Sequence, residues 1–251
     1  SISQLTGHEV PMNLTPSSMN RMALTIREPI GVVVAVSAFN HPFNLIVHQV
    51  IPAVAVGCPV IVKPANPTPL SCLSLVKCLY EAGLPEEWCR TIICENADAE
   101  KLVTDSRVAF FTFIGSGAVG WMLHSKLAPG TRCALEHGGA APVIVDHDAD
   151  LKDTLPLLAK GGFYHAGQVC VSVQKIYVHE SLIDSFSKGL VELAENLLVG
   201  DPLDEKTEVG PLILEREVNR VDQWVQEAKS EGGEILTGGK KIGSTCYEPT
   251  V

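Results

Sequence analysis

The sequence predicts an α/β fold in which an open parallel sheet covered by helices is followed by a second α/β domain. The first observation is that strand-like and helical segments alternate from residue 31 onward. The second is that residues 31–39 form a nearly continuous apolar, β-branched run, which is typical of a strand buried on both faces. A sheet of this kind binds its ligand beyond the carboxyl ends of its strands.

Five strands are predicted in the first half of the chain. They cover residues 31–39, 59–62, 90–94, 108–113 and 131–136. The helices predicted between them cover residues 42–56, 70–82, 97–104 and 118–127. Pro52 should kink or divide the first of these helices, because proline lacks the N–H that the helix requires. Strands that alternate with helices in this way imply an open sheet covered on both faces.

The pattern restarts after the glycine pair at residues 138–139. Strands are predicted at residues 143–145, 173–178 and 234–236, and helices at residues 151–163, 181–198 and 215–231. A weak alternation of apolar and polar residues before residue 27 suggests an outlying strand. We therefore divide the chain into an outlying or bridging strand segment at residues 1–28, a first domain at residues 29–138 and a second domain at residues 139–251.

The composition excludes several classes of protein. Of the 251 residues, 46% are hydrophobic and 19% are charged, which is typical of a globular protein and not of a disordered one. The net charge of -10 and the lack of a basic run beyond residues 240–241 argue against a nucleic-acid partner. The longest apolar stretch, near residues 50–62, is too short and interrupted to cross a membrane. Because the acidic balance argues against nucleic acid, we expect a small-molecule substrate or another subunit as the partner. No metal site is predicted.

The eight cysteines form no CxxC pair, and their density is low for a disulfide scaffold. We expect seven of them to be buried free thiols in a reducing, cytoplasmic environment. The exception is Cys170.

The segment Gly115-Ser-Gly-Ala-Val-Gly120 spells G-x-G-x-x-G between a predicted strand and a predicted helix. In that context the glycines let the backbone approach a pyrophosphate, and the helix N-terminus favours the anion. The same glycines often make only a tight turn, and the pattern does not decide between these two roles.

Two polar residues stand where other predicted strands end. Lys63 follows a buried strand, where a sheet of this kind places its ligand, although a solvated lysine at a strand end is the simpler interpretation. Asn40 precedes a proline at a probable first helical position. It would either cap that helix or present its amide as an oxyanion donor, and the pattern alone favours the cap.

Two further residues have the chemistry of a nucleophile and a base. Cys170 is predicted near a helix N-terminus, whose dipole would stabilise the thiolate, but composition alone favours one more buried thiol. Glu136 ends a predicted strand before two glycines and is a plausible general base. The alternatives are a surface glutamate in a turn, or His137 acting as the base in its place.

Taken together, these segments resemble the aldehyde dehydrogenase superfamily in order and along nearly the whole chain. The first matches are Glu28-Pro-Ile-Gly-Val-Val33, Phe39-Asn-His-Pro42, Val62-Lys-Pro64 with Thr68-Pro69, and Glu81-Ala-Gly-Leu-Pro85. The others are Phe113-Ile-Gly-Ser116, Leu135-Glu-His-Gly-Gly139, Gly167-Gln-Val-Cys170, Gly200-Asp-Pro202, Gly210-Pro211 and Pro249-Thr-Val251. The family also shares the separation of 34 positions between Glu136 and Cys170.

The resemblance implies a role for each matched residue. Cys170 would attack the aldehyde to give a thiohemiacetal and then a thioester, and Glu136 would activate the water that releases the carboxylic acid. The Asn40 amide and the Cys170 backbone N–H would hold the oxyanion.

The resemblance also implies NAD or NADP as the cofactor, bound by residues 29–138 in a variant Rossmann arrangement, with residues 139–251 as an incomplete catalytic domain. Lys63 would contact the adenosine ribose, and Gly115 and Ser116 would border the pyrophosphate. Phe39 and Asn66 would be further cofactor-binding residues.

Two positions depart from the family pattern. NAD-preferring relatives often carry a glutamate three residues after the lysine, where this chain has Asn66. A carboxylate there would repel a 2′-phosphate and an asparagine would not, so NADP is permitted alongside NAD. The residue after the glutamate is usually leucine and is His137 here.

The chain is roughly half as long as the family's, so we expect it to be a central fragment of an enzyme that is a homodimer or homotetramer when full length. Without the remaining part, which fixes the nicotinamide, the isolated fragment should have little dehydrogenase activity. The alternatives are a CoA-acylating relative, which Glu136 argues against, and a non-catalytic binding or assembly module.

Overall fold

The structure of the protein is a computed structural model that describes residues 6–251, so the first five residues of the predicted outlying segment lie outside it. The chain forms two compact units, of which the first ends at His137 and the second begins at Gly138. No helix in the described range is long and apolar enough to span a bilayer.

The first unit begins with a two-stranded antiparallel ribbon in the predicted outlying segment. Its strands are β1 (Glu9–Val10) and β2 (Ala23–Leu24), in which Glu9 pairs with Leu24. The ribbon is separate from the main sheet of the unit.

The remainder of the first unit alternates strands and helices as predicted. The elements are β3 (Val32–Val36), α1 (Pro42–Ala55), β4 (Val60–Lys63), α2 (Leu70–Glu81), β5 (Cys89–Thr91), α3 (Asn96–Val103), β6 (Val108–Gly115), α4 (Gly117–His124) and β7 (Arg132–His137). The five strands β3 to β7 form one parallel sheet in the order β5-β4-β3-β6-β7.

Both faces of this sheet are buried, which explains the unbroken apolar run in β3. Val33 and Ala35 pack on one face with α1 and α2. Val34 points to the other face and packs with α3, α4 and Phe111 of β6. Successive side chains in a strand alternate between faces, so a strand covered on both sides needs apolar residues at every position.

The helix α1 continues through Pro52, so the expectation that this proline divides the helix is wrong. Pro52 begins the last turn of the helix, where the missing N–H removes only one hydrogen bond near the end.

The second unit starts with a parallel pair of strands joined through a helix. Its elements are β8 (Val143–Val145), α5 (Leu151–Phe163), a 3-10 helix (Tyr164–Gly167), β9 (Ile176–Val178), a 3-10 helix (Glu180–Leu182), α6 (Ile183–Glu195), α7 (Glu215–Ser230), β10 (Lys241–Ile242) and β11 (Cys246–Tyr247). The core of this unit contains Val145 of β8, Leu158 of α5 and Phe186 of α6.

The strand predicted at residues 234–236 is wrong, because this segment forms no named strand. The Leu236 N–H donates to the Val251 carbonyl at 2.8 Å, and the Val251 N–H donates to the Thr237 carbonyl at 3.2 Å. These few hydrogen bonds do not make a ladder. The nearby ladder is the short hairpin of β10 and β11, which the sequence analysis missed because each strand has only two residues.

We expect Phe111→Ala to destabilise the protein by about 3–5 kcal/mol, because Phe111 is fully buried on β6, next to the central strand of the sheet, and truncation leaves a cavity. Phe43→Ala is the matched control, since Phe43 lies on α1 of the same unit and is 55% exposed. It should change the free energy of unfolding by less than about 0.5 kcal/mol. Urea unfolding measures both values, and similar values for the two variants would contradict this placement.

Candidate active site

The parallel sheet of the first unit brings the predicted site residues of that unit to one edge. Val36, the last residue of β3, pairs with Lys63 at the end of β4 and with Phe113 of β6. Gly115, which ends β6, pairs with His137 at the end of β7. Because all the strands run in the same direction, Asn40, Lys63, Ser116 and Glu136 follow or occupy strand ends at the same edge of the sheet.

The interpretation of Lys63 as a solvated lysine at a strand end is wrong. Its side chain is buried, and only 5% of the residue is exposed. The ammonium donates to the Asn66 Oδ1 at 2.9 Å and to the Pro64 carbonyl at 3.2 Å. Burial lowers the pKa of Lys63, although the nearby Cys94 and Glu95 act in the opposite direction. An ammonium has three donors, so one remains for a ligand.

Asn40 does not cap helix α1, so the interpretation that the pattern favoured is wrong. The cap residue is His41, with Pro42 as the first residue of the helix, and its side chain makes no capping hydrogen bond. The Asn40 Oδ1 is buried and has no hydrogen-bond partner within residues 6–251. A buried amide oxygen without a partner is costly, and such positions occur at functional sites. Phe39, which precedes Asn40, is half-buried.

The glycine motif spans the end of β6 and the start of α4. Gly115 ends the strand, and Ser116 is the cap residue, whose hydroxyl accepts from the Val119 N–H at 3.4 Å. The first backbone N–H groups of a helix have no partner within the helix, so the start of α4 presents donors and the positive end of its dipole. This arrangement can bind an anion.

The structure gives Gly120 a packing role, which the sequence analysis did not foresee. A Cβ at Gly120 would lie 2.2 Å from the His137 Nε2 and 3.0 Å from the Phe113 Cε1. The His137 ring also lies 5.4 Å from the Trp121 ring in an edge-on arrangement. These contacts explain why histidine can replace the leucine that is usual in the family at this position. The glycine at position 120 of α4 leaves room for the imidazole of His137.

The surroundings of His137 argue against its alternative role as general base. Its Nε2 is buried and has no hydrogen-bond partner among the described residues. Neighbouring residues in a strand point to opposite faces, so Glu136 lies on the other side of β7 from the imidazole.

Glu136 lies within β7 and not in a turn, which corrects the alternative interpretation. The strand is at an edge of the sheet, and its residues alternate between exposed and half-buried, with Glu136 exposed. Its carboxylate has no hydrogen bond or ion pair with any residue in the described range. It is therefore available to accept a proton from a water or substrate molecule.

Cys170, in the second unit, is an exposed thiol, so the interpretation that it is one more buried cysteine is wrong. It is also not near a helix N-terminus. It lies in a turn between the 3-10 helix Tyr164–Gly167 and strand β9, and no helix begins there. The helix-dipole argument for its thiolate therefore does not hold. The backbone at Gly139 passes close to this turn: a Cβ added at Gly139 would lie 3.4 Å from the Cys170 carbonyl oxygen.

The other cysteines are less uniformly buried than expected. All eight are free, but only Cys58, Cys72 and Cys89 are buried, and Cys78 is exposed like Cys170. The buried face of α2 contains Cys72, Leu75 and Val76, and Cys78 lies off this stripe. Burial raises the pKa of Cys72, and burial together with Cys72 raises the pKa of Cys89 to about 11, so these thiols are poor nucleophiles.

Comparison with known proteins gives consistent matches. The family model for the aldehyde dehydrogenase family matches residues 1–251. The 3-sulfolactaldehyde dehydrogenase of Priestia aryabhattai is 43% identical over 249 residues, which are 99% of this chain and 52% of that protein.

Two solved structures have the same fold. One is a glyceraldehyde-3-phosphate dehydrogenase from Methanocaldococcus jannaschii complexed with NADP, with a TM-score of 0.91, 37% identity, and coverage of 99% of this chain and 54% of that chain. The other is a Mycobacterium tuberculosis aldehyde dehydrogenase complexed with NAD+, with a TM-score of 0.88 and 32% identity. The match covers 91% of this chain and 48% of that chain.

The chain belongs to the aldehyde dehydrogenase family, and it spans about half the length of the relatives it matches. The predicted fold class, with a Rossmann-like parallel sheet, is confirmed by the five-stranded sheet and by these neighbours.

We expect Gly120→Ala to destabilise the protein by about 1–3 kcal/mol, because the added methyl group overpacks against His137 and Phe113. This is a net value, because the higher helix propensity of alanine, about 1 kcal/mol, offsets part of the overpacking cost. Gly138→Ala is the control and should be nearly neutral, since nothing lies within 4 Å of its Cβ position.

Adding His137→Ala to the Gly120→Ala variant should recover part of the loss, which thermal unfolding of the four forms in the double-mutant cycle measures. Strictly additive effects would rule out the contact between Gly120 and His137.

Proposed function

We propose that this chain carries the nucleophile and the cofactor-binding part of an enzyme that oxidises an aldehyde to a carboxylic acid with NAD or NADP. Cys170 is the nucleophile, Glu136 is the general base, and Asn40 is an oxyanion donor. The observation that carries the proposal is the exposed Cys170 thiol in a chain of the aldehyde dehydrogenase family.

In the first step the Cys170 thiolate attacks the carbonyl carbon and forms the C–S bond of a thiohemiacetal. The negative charge that develops on the substrate oxygen requires donors that are already oriented. The Asn40 side-chain amide and the Cys170 backbone N–H fill this role. The cap residue of α1 is His41, so the Asn40 side chain is not committed to a helix cap, which is compatible with this role.

Residues of the first unit suit a dinucleotide. Lys63 has one donor left for a ribose hydroxyl, and Asn66 is held beside it. The start of α4, with Ser116 as its cap and Gly115 before it, suits a pyrophosphate, and Phe39 precedes Asn40 at the same edge. Bound NAD(P)+ supplies the acceptor for the hydride that leaves the substrate carbon.

Loss of the hydride to the cofactor and of the hydroxyl proton would turn the thiohemiacetal into a thioester on Cys170. In the step that follows, Glu136 takes a proton from water, and the hydroxide attacks this thioester. The C–S bond breaks, which releases the carboxylic acid and returns the thiolate. The Glu136 carboxylate is exposed and has no hydrogen bond or ion pair with a described residue, which supports this role. The presence of a glutamate at this position argues against transfer of the acyl group to CoA.

The neutral Asn66 supports the use of either cofactor, since it would not repel a 2′-phosphate. The eight free cysteines support a reducing, cytoplasmic location. We further propose that the complete enzyme is a homodimer or homotetramer.

The thiol chemistry can be tested without cofactor by using 4-nitrophenyl acetate, an activated ester that acylates a reactive thiolate. We expect a burst of nitrophenolate followed by slower turnover. Cys170→Ala should abolish both phases. Glu136→Gln should keep the burst but slow turnover by roughly 10²–10⁴-fold, because hydrolysis of the thioester loses its base.

Cys78→Ala is the control for an exposed thiol and should leave both phases unchanged. Mass spectrometry should find the acetyl group on Cys170 in the Glu136→Gln variant. Acetylation that persists after Cys170→Ala would overturn the assignment of the nucleophile.

Cofactor binding can be measured by calorimetric titration with NAD+ and NADP+. Lys63→Met should raise Kd on the order of 10-fold to 100-fold, since it removes a hydrogen bond from a charged donor. Lys77→Met is the matched control, because the Lys77 side chain is 76% exposed, and it should leave Kd unchanged. Asn66→Glu should weaken NADP+ binding selectively, through repulsion of the 2′-phosphate. Equal Kd values for Lys63→Met and the unaltered chain would refute the role of Lys63.

A further inference from the structure

We infer that Gln168 is a positioning residue that fixes the turn carrying Cys170 and thereby sets the rate at which the thiol is acylated. This inference rests on the proposed role of Cys170 as the nucleophile. It assigns to the Gln168 side chain a function that is separate from contact with the substrate.

The Gln168 carboxamide joins the turn to a distant segment of the same unit. Its Nε2 donates to the Pro211 carbonyl at 3.3 Å, and its Oε1 accepts from the Ile213 N–H at 2.9 Å. The Nε2 also donates to the His165 carbonyl at 3.3 Å. Both bonds to the distant segment are partly buried, so water competes with them less than at the surface.

Ser172 fixes the other side of the turn. Its N–H donates to the Val169 carbonyl at 3.0 Å and closes the turn around Cys170. Its hydroxyl lies 3.1 Å from the Gly162 carbonyl and 3.3 Å from the Gly161 carbonyl, and only 3% of the residue is exposed. The side chains of Gln168 and Ser172 therefore make hydrogen bonds on both sides of the exposed Cys170 thiol, two residues before it and two residues after it.

The backbone before Gln168 is strained. His165 and Ala166 have φ values of 56° and 54°, in the left-handed region that residues other than glycine rarely adopt, and Gly167 follows with a φ of 70°. A residue other than glycine is strained in this region and persists there only where its surroundings enforce it. The bond from the Gln168 amide to the His165 carbonyl is one such restraint.

The orientation of the turn matters for acylation in particular. The Cys170 residue supplies both the attacking sulfur and a backbone N–H for the oxyanion, so a rotation of the turn misplaces both together. Acylation passes through an oxyanion and depends on that N–H. Alkylation of the thiol by iodoacetamide forms no oxyanion and depends only on the exposure and ionisation of the thiol.

The test compares these two reactions in Gln168→Met, which keeps the length of the side chain and removes its hydrogen bonds. We expect the burst rate with 4-nitrophenyl acetate to fall on the order of 10-fold to 100-fold. The rate of alkylation of Cys170 by iodoacetamide should stay within about twofold. Gln223→Met makes the same chemical change at an exposed position on α7 and should alter neither rate.

Gln168→Glu provides a second measurement that a merely structural role would not affect. A carboxylate still accepts from the Ile213 N–H but cannot donate to the Pro211 carbonyl, whereas a protonated carboxyl can donate. The acylation rate of this variant, relative to the unaltered chain at the same pH, should rise as the pH falls.

Equal loss of acylation and alkylation in Gln168→Met would overturn the inference, and so would a relative rate in Gln168→Glu that does not change with pH. Failure of both variants to fold would overturn it in favour of a purely structural role. If the unaltered chain is not acylated at Cys170 at all, the proposed function fails instead.

Discussion

The parallel pairing of β3 with β4 and β6 is the constraint on which the candidate site of the first unit depends. It places Val36, Lys63 and Phe113 at neighbouring positions near the carboxyl edge of the sheet. Residues far apart in the chain then share one edge because every strand ends there. The side-chain amide of Gln49 on α1 strengthens this edge, because it lies 3.2 Å from both the Val36 and the Thr112 carbonyl oxygens.

The second unit positions its reactive residue by different means. Cys170 lies in a turn, and no ladder of strand or helix hydrogen bonds holds it. Side-chain hydrogen bonds from Gln168 and Ser172 take the place of that ladder. Such bonds hold a short segment in one conformation while leaving its central side chain exposed. The proposed nucleophile is therefore an exposed side chain on a turn that hydrogen bonds hold in place.

Much of this arrangement could be predicted from the sequence, because it depends on strong periodic signals. The strands β3, β4, β6 and β7 and helices α1, α2 and α5 occur close to their predicted positions, since each has a clear apolar pattern. The failures have particular causes. The segment at residues 234–236 is apolar enough for a strand but lacks a partner strand. Asn40 was mispredicted as a cap although α1 starts at Pro42 as expected, because the cap position is His41, one residue later. The surroundings of Cys170 were mispredicted because turn residues carry no periodic signal.

The sequence by itself determined the alternation of strands and helices and the family, and it supplied the residues that we propose as nucleophile, base and cofactor ligands. These properties follow from the type and spacing of residues along the chain. Only the tertiary structure decided that Lys63 is buried, that His137 packs against Gly120 and that Gln168 reaches Pro211 and Ile213. The contacts of Gln168 join residues more than 40 positions apart, and the choice of partner depends on how the elements pack, which no local pattern encodes.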